Sequence, residues 1–261
     1  MAMDAFLLAH SDDDVFVRPL IRRSVREGRR VLVLYLTNGA AGGRSDVGRR
    51  QAEAAVALAA AGVRGDDVIH IGAAGGIPDC GLFEHLDTAF AAAASAIDAR
   101  GVPTRIVTHC WEGGHPDHDA AHVVGLALAA RHGCAEASLC FPAYRAGDRG
   151  WMPFDVFAPL PANGPILPLP VGLPDILDVL WSMTYYRSQW RSFLGLGPVL
   201  AVRLLARGAI PLQPLAASSA CTRPAAGPLL AETRYGRRFA DCQQRATAFC
   251  ERHAMISGRG A

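Results

Sequence analysis

The sequence predicts an α/β fold of three layers, a mostly parallel sheet covered by helices on both faces. Two observations predict it. Short apolar runs alternate with longer helical patterns through the first half of the chain, the order of strand–helix–strand units. At 261 residues, with 51% hydrophobic and 19% charged residues, the chain can also bury a substantial core and is not a disordered segment.

The elements follow in order. Phe6 to Ala9 is a short apolar run that ends at an acidic cluster. Val15 to Glu27 has a helical pattern, with Arg18, Arg22 and Arg26 on one face and Gly28 where a helix is expected to stop; Pro19 suggests a kink or a later start. Val31–Leu36 is a second strand, closed by Thr37-Asn38-Gly39. Arg49 to Ala61 is Ala-rich and helical and ends at Gly62. Val68–Ile71 is a third strand, followed by the glycine-rich Gly72 to Gly76. That turn hints at phosphate binding but lacks the Gly-x-Gly-x-x-Gly spacing. Leu86–Arg100 is a helix, Arg105–Thr108 a fourth strand, Asp119–His132 a helix and Ala137–Cys140 a fifth strand.

The second half is different in texture. Tyr144 to Leu173 is rich in Pro and Gly and carries Trp151, Phe154 and Phe157; it reads as a long excursion that walls one face. Ile176–Trp190 resumes a helical pattern. Phe193 to Leu212 is the one membrane-like stretch, but Gly195, Gly197, Pro198, Arg203, Arg207, Gly208 and Pro211 interrupt it, so it reads as a packed helix. A terminal helix is expected from about Gly236, with the tail from Ile256 frayed. No linker divides the chain. The expectation is one domain over 1–261, with a core over 1–143 and, over 144–261, the excursion and C-terminal helices.

Composition narrows the functions. A net charge of +2 argues against nucleic acid or an anionic membrane as partner. All 26 basic residues are Arg, so neither a Schiff-base lysine nor a phosphate-loop lysine exists. The seven cysteines are odd in number and contain no Cys-x-x-Cys, as expected of reduced thiols in a cytoplasmic protein. The N-terminus has no signal pattern.

Two motifs carry chemistry. Ala9-His10-Ser11-Asp12-Asp13-Asp14 follows the first strand, and His115-Pro116-Asp117-His118-Asp119 follows Trp111-Glu112-Gly113-Gly114 near the end of the fourth. Parallel sheets place their sites at the carboxyl ends of the strands, so both motifs belong on one edge. A catalytic zinc takes three protein ligands and keeps an open position, and His10, Asp13 and His118 can supply them. Asp12 is then placed to accept a proton from water, His115 to stabilise an oxyanion or protonate a leaving amine, and Asp117 to hold a neighbouring imidazole in one tautomer. Taken alone, the acid run reads equally as helix caps, and a His-x-x-His pair as solvated loop residues. The other histidines, His109 included, read as structural or solvated.

The first motif resembles the Ala-His-Pro-Asp-Asp-Glu signature of the PIG-L/LmbE family of zinc-dependent N-acetylglucosaminyl deacetylases, and His115-Pro116-Asp117-His118 is similar to its second motif without change. Thr37-Asn38-Gly39, the Arg50/Glu53 helix ending at Gly62, and Pro78-Asp79 with Leu82 resemble three further elements, in order, across roughly residues 5 to 125. Tyr186-x-Ser188-Gln189 is similar to a later element of some members. Ser11 and Asp14 depart from the usual Pro and Glu.

The resemblance implies a Rossmann-like fold and removal of an N-acetyl group from an amino sugar. It implies metal ligation by His10, Asp13 and His118, with Asp12 as base and His115 as acid or electrostatic partner. It also implies sugar contacts from Arg50 and Asp79. Zn2+ is the expected cofactor, with Fe2+ suited to the same ligands. The expected partner is a small-molecule amino-sugar conjugate, its aglycone received by the apolar second half. An amidase for larger acyl groups, a non-catalytic sugar-binding relative and a homo-oligomer remain open, whereas a dinucleotide oxidoreductase would want glycines in place of His10 to Asp14.

Overall fold

A computed structural model describes residues 1–40, 46–147, 154–217 and 220–253. The loop glycines Gly42 and Gly43, Trp151 and the tail lie outside these residues. The elements run β1 (Met3–Leu8), α1 (Asp14–Arg26), β2 (Arg30–Tyr35), α2 (Val47–Ala60), β3 (Val68–His70), a single turn α3 (Ile71–Ala74), α4 (Leu86–Asp98), β4 (Arg105–His109), α5 (Pro116–Arg131) and β5 (Leu139–Phe141). They continue as β6 (Tyr144–Ala146), β7 (Phe154–Val156), β8 (Leu167–Pro170), α6 (Leu173–Ser182), α7 (Trp190–Arg207), β9 (Ala209–Pro214), a short α8 (Leu230–Thr233) and α9 (Phe239–Arg252).

One sheet has the order β3-β2-β1-β4-β5-β9-β8; β6 and β7 form a separate antiparallel pair. The first five strands are parallel, and β9 turns antiparallel between β5 and β8. The α/β reading therefore holds. Alternation along β1 shows why both faces are covered. Ala5, Leu7 and Ala9 pack with α4, α5 and α9, whereas Phe6 and Leu8 pack with α1, α2, α6 and α7.

The second half departs from the sequence reading in two places. The helix expected over 176–190 ends at Ser182, and two 3-10 turns, Met183–Tyr185 and Arg187–Gln189, lead into α7. The stretch from 193 to 212, expected as one helix, breaks at Gly208, whose left-handed backbone (φ +61°) ends α7 and starts β9. The prolines of β8 and β9 concealed these strands. They are tolerated because β8 is the edge strand and Pro168 pairs with Pro211, while β9 meets β5 only through Gln213 and Pro214. Strands β6, β7 and β8 likewise lie inside the segment expected to be irregular.

The glycine-rich turn after β3 has a packing cause. A Cβ on Gly72 would lie 2.2 Å from the backbone carbon of Thr37, so α3 presses directly on the end of β2.

Candidate active site

The strand order brings the two motifs together. β1 and β4 are parallel neighbours with Phe6 opposite Val107, and the helices that follow them, α1 and α5, pack on opposite faces of the sheet. A crevice opens beyond their carboxyl ends, where open α/β sheets bind ligands.

Asp13 stands at the N-cap of α1, yet its carboxylate caps nothing there. It accepts the backbone N–H of His10 at 2.7 Å. Its oxygens lie 3.3 Å from His10 Nδ1, 3.2 Å from His109 Nε2 and 3.4 Å from His118 Nε2. Burial opposes its charge, but His118, His109 and His10 hold the carboxyl well below the usual carboxylate range.

His10 Nε2 sits 3.1 Å from Asp117 Oδ2, which leaves Nδ1 on the Asp13 side. Burial disfavours the charged ring, and Asp13 and Asp117 outweigh it, so its pKa rises well above the ordinary histidine value. Asp117 is fully buried and also accepts the N–H groups of Cys80 and Leu82 at 2.6 and 3.0 Å, tying the second motif to the Pro78–Leu82 segment.

His115 is the N-cap of α5, with Pro116 in the first turn. Its Nδ1 accepts the Asp117 N–H at 3.1 Å, so a neutral ring carries its proton on Nε2. Burial, His10 and His118 hold its pKa well below the ordinary value. Its ring meets those of His10 and Tyr235 edge-on at 4.4 and 4.2 Å.

Asp12 accepts a hydrogen bond from the Arg50 guanidinium. Burial raises its pKa and Arg50 only partly reverses this. Arg50 is buried, donates to the Gly39 carbonyl at 2.7 Å and lies 3.7 Å from Asp79, so it is no surface salt bridge. Asp79 accepts the Gly39 N–H at 2.9 Å and lies 2.8 Å from the Thr37 hydroxyl. Turn 37–39, Arg50 and Asp79 thus form one bonded unit beside Asp12.

His10, Asp12, Asp13, Arg50, Asp79 and His115 line a single cavity of about 910 Å³. His118 and Asp117 are buried, His118 with its ring 5.4 Å from that of His10. All eight residues singled out from the sequence therefore gather at this one edge.

The donor set fits a divalent ion. His10, His115 and His118 offer ligand atoms within 4.8 Å of one another, as do Asp13, His109 and His118. His118 is completely buried, yet neither ring nitrogen has a hydrogen-bond partner among the described residues. An imidazole so placed is costly unless something coordinates it.

Five contributors were given no role in the sequence reading. His109, read as structural or solvated, accepts the Ala9 N–H at 3.3 Å and stacks on His118 at 3.9 Å. Its place at the end of β4 was the available signal. Tyr144 contacts the His118 ring at 5.2 Å edge-on, and Tyr235 covers His115. Glu112 holds the Ala143 and Tyr144 N–H groups at 3.0 and 3.1 Å, and Asp119, which burial pushes up to about 7, holds those of Glu112 and Gly113. Gly114 is required here, since its Cβ would fall 1.9 Å from the Tyr144 carbonyl oxygen.

The late Tyr-x-Ser-Gln element closes the arrangement. Tyr186 donates to buried Asp14, while the Ser188 hydroxyl and N–H bind Glu53 at 2.5 and 3.0 Å. Burial pushes Asp14 up to about 7, with Tyr186, Arg18 and Tyr35 partly reversing it.

Fold and site together define an α/β protein with a His/Asp candidate metal centre at the switch point of a parallel sheet. The profile of the family described as PIG-L: GlcNAc-PI de-N-acetylase matches residues 5–129, and over that stretch the chain is similar to this family. Comparison with curated proteins finds no match. Among solved structures it is similar to a deacetylase triple mutant of the teicoplanin biosynthetic pathway (18% identity, TM-score 0.62, covering 82% of this chain and 97% of that one). It is also similar to the N,N'-diacetylchitobiose deacetylase of Pyrococcus horikoshii (15%, 0.55, 82% and 84%). A third is GalB, the 4-carboxy-2-hydroxymuconate hydratase of Pseudomonas putida KT2440 (16%, 0.51, 82% and 95%). These likenesses establish the shared fold. A hydratase stands among them, so the chemistry must be argued from the site.

Proposed function

We propose that this chain hydrolyses the amide of an N-acylated, foremost N-acetylated, glucosamine unit in a larger conjugate. The observation that carries the reading is the gathering of His10, Asp12, Asp13 and His115 on the wall of one cavity, with His118 buried beside His10, from motifs a hundred residues apart in the chain. His10, Asp13 and His118 would hold Zn2+, with Fe2+ suited to the same ligands. Zinc there would make water acidic and polarise the acyl carbonyl.

The side chains supply the rest. Asp117 takes the Nε2 proton of His10 in a hydrogen bond and so presents Nδ1 toward Asp13. Asp12, with its raised pKa and its orientation fixed by Arg50, accepts the proton released as water attacks the carbonyl carbon. His115, neutral with a proton on Nε2, donates to the developing oxyanion. The C–N bond breaks as Asp12 passes the proton it took from water to the departing nitrogen, and the products are a carboxylate and the free amino sugar. Arg50 and Asp79, both at the cavity wall, are assigned to the sugar hydroxyls. The apolar wall from Phe154, Phe193 and Leu196 suits an aglycone. The family profile and the deacetylases among the structural relatives support this assignment.

The test is acetate release from a panel of N-acetylglucosaminides, with and without chelator, alongside metal analysis. Release should stop with chelator and return with zinc, and Asp12→Asn should lower kcat about 100-fold or more while retaining metal. Release that ignores the chelator, or an undiminished Asp12→Asn enzyme, would overturn the mechanism. A bulky acyl group in the same assay distinguishes an amidase.

A further inference from the structure

The hydrogen bonds that orient His10 do not end at Asp117. The carboxylate oxygen that meets His10 Nε2 at 3.1 Å also accepts the Cys80 N–H at 2.6 Å, and the other oxygen accepts the Leu82 N–H at 3.0 Å. Cys80 stands in the left-handed region at φ +63°, a conformation that a residue with a Cβ keeps only when its surroundings hold it there. The torsion lies between the two N–H groups that grip Asp117. They converge on one carboxylate because the chain turns left-handed at Cys80.

One side chain holds this turn from its other side. Arg237, between α8 and α9, donates through its guanidinium to the Cys80 carbonyl. Its Nη1 meets Glu84 Oε1 at 2.9 Å, a partly exposed pair that contributes little by itself. The backbone behind the guanidinium is anchored in turn. The Arg237 N–H bonds the Ala231 carbonyl at 3.0 Å, and the Ala231 N–H bonds the Gly113 carbonyl at 3.2 Å, on the approach to the second motif. Arg237 lies beyond residue 129, where the family match ends. We propose that Arg237 is a positioning residue for the metal centre. It holds the Cys80 carbonyl, the left-handed turn then fixes Asp117, and Asp117 fixes His10. The proposal rests on the reading of His10 as a metal ligand.

Retention of Zn2+ against a competing chelator tests it. Losing a direct partner of a metal ligand costs about tenfold or more in affinity; Arg237 acts at one further remove, so Arg237→Gln should weaken retention about fivefold. Arg237→Lys, which keeps a donor, should lose less. Glu84→Gln, which leaves the Cys80 carbonyl held, should lose nothing. Cys80→Gly separates the clamp from general loosening, because glycine adopts positive φ without a steric penalty. Alone it should retain zinc within about twofold of the parent, and in its background Arg237→Gln should cost under about twofold. Each ratio is taken within one background, so a shared loss of stability cancels. An Arg237→Gln protein that retains zinc like the parent, or an equal loss in both backgrounds, overturns the proposal. If the parent itself binds no zinc, the metal reading fails. The urea midpoints of the parent, both single variants and the double variant then decide the clamp: Arg237→Gln must cost more with cysteine at position 80 than with glycine, and equal costs overturn it.

Discussion

At the scale of single residues, the centre owes its order to side chains that hold others in place. His109 is the clearest. Burial and the neighbouring His118 push its pKa down to about 3, so it stands neutral beside Asp13 and accepts the Ala9 N–H through Nε2. The hydrogen bond from the Ala9 N–H fixes the start of the first motif. His109→Ala should therefore weaken metal retention about tenfold or more, read by competition with a chelator, and cost less turnover at saturating metal than Asp12→Asn does. Unchanged retention would show that His109 only fills space. The ligands and Asp12 were legible because they cluster in short motifs after apolar runs. His109 was not, because one histidine at a strand end carries no spacing. The capping reading of the acid run was decidable only in three dimensions, where Asp13 turns from the helix toward three imidazoles.

At the scale of elements, the question is how the wall formed by α6 and α7 is fastened to the motif-bearing half. Polar links among the described residues do it, including Tyr186 to Asp14, Ser188 to Glu53, and Arg18 to Asp178 at 2.7 Å. Arg18 read as part of a polar helix face, but it is 1% exposed and also donates to the Ala57 carbonyl, so Asp178 is what compensates its charge. Asp178→Ala should cost about 3 kcal/mol, seen as a lower urea midpoint, because it strands a buried guanidinium. Arg22 also meets Asp178, at 2.8 Å, but is 39% exposed. Arg22→Ala should cost under about 1 kcal/mol. Equal losses would mean that burial of Arg18 does not matter. The parallel half of the sheet was readable from its alternation of runs and helices. Strands β8 and β9 were hidden because Pro168, Pro170, Pro211 and Pro214 argue against a strand until the edge position and the pairing are known.

At the scale of the whole molecule, the two edges of the sheet divide the work. The carboxyl edge gathers the reactive groups, and the amino edge gathers ion pairs that tie the layers together. Buried Asp4 there accepts from Ser24 of α1 at 2.7 Å, Arg29 before β2 at 2.9 Å and Arg105 of β4 at 2.6 Å. Burial opposes its charge, yet Arg29, Arg105 and Ser24 outweigh it and hold the carboxyl below the usual aspartate value. Its folded pKa thus lies below its unfolded one. On acidification the unfolded chain takes up the proton first, so the stabilisation is whole above the ordinary aspartate range and is lost as pH falls toward the folded value. Asp4→Asn should destabilise the protein by about 2 kcal/mol near neutrality, and the gap to the parent should close as pH falls toward about 3. Urea unfolding of both proteins across that range reads the gap directly. Turnover per folded molecule should be equal in the two at neutral pH, since Asp4 lies at the edge opposite the cavity. A gap that stays constant with pH would mean that Asp4 acts through shape alone, and a loss of turnover would mean that the two edges are coupled.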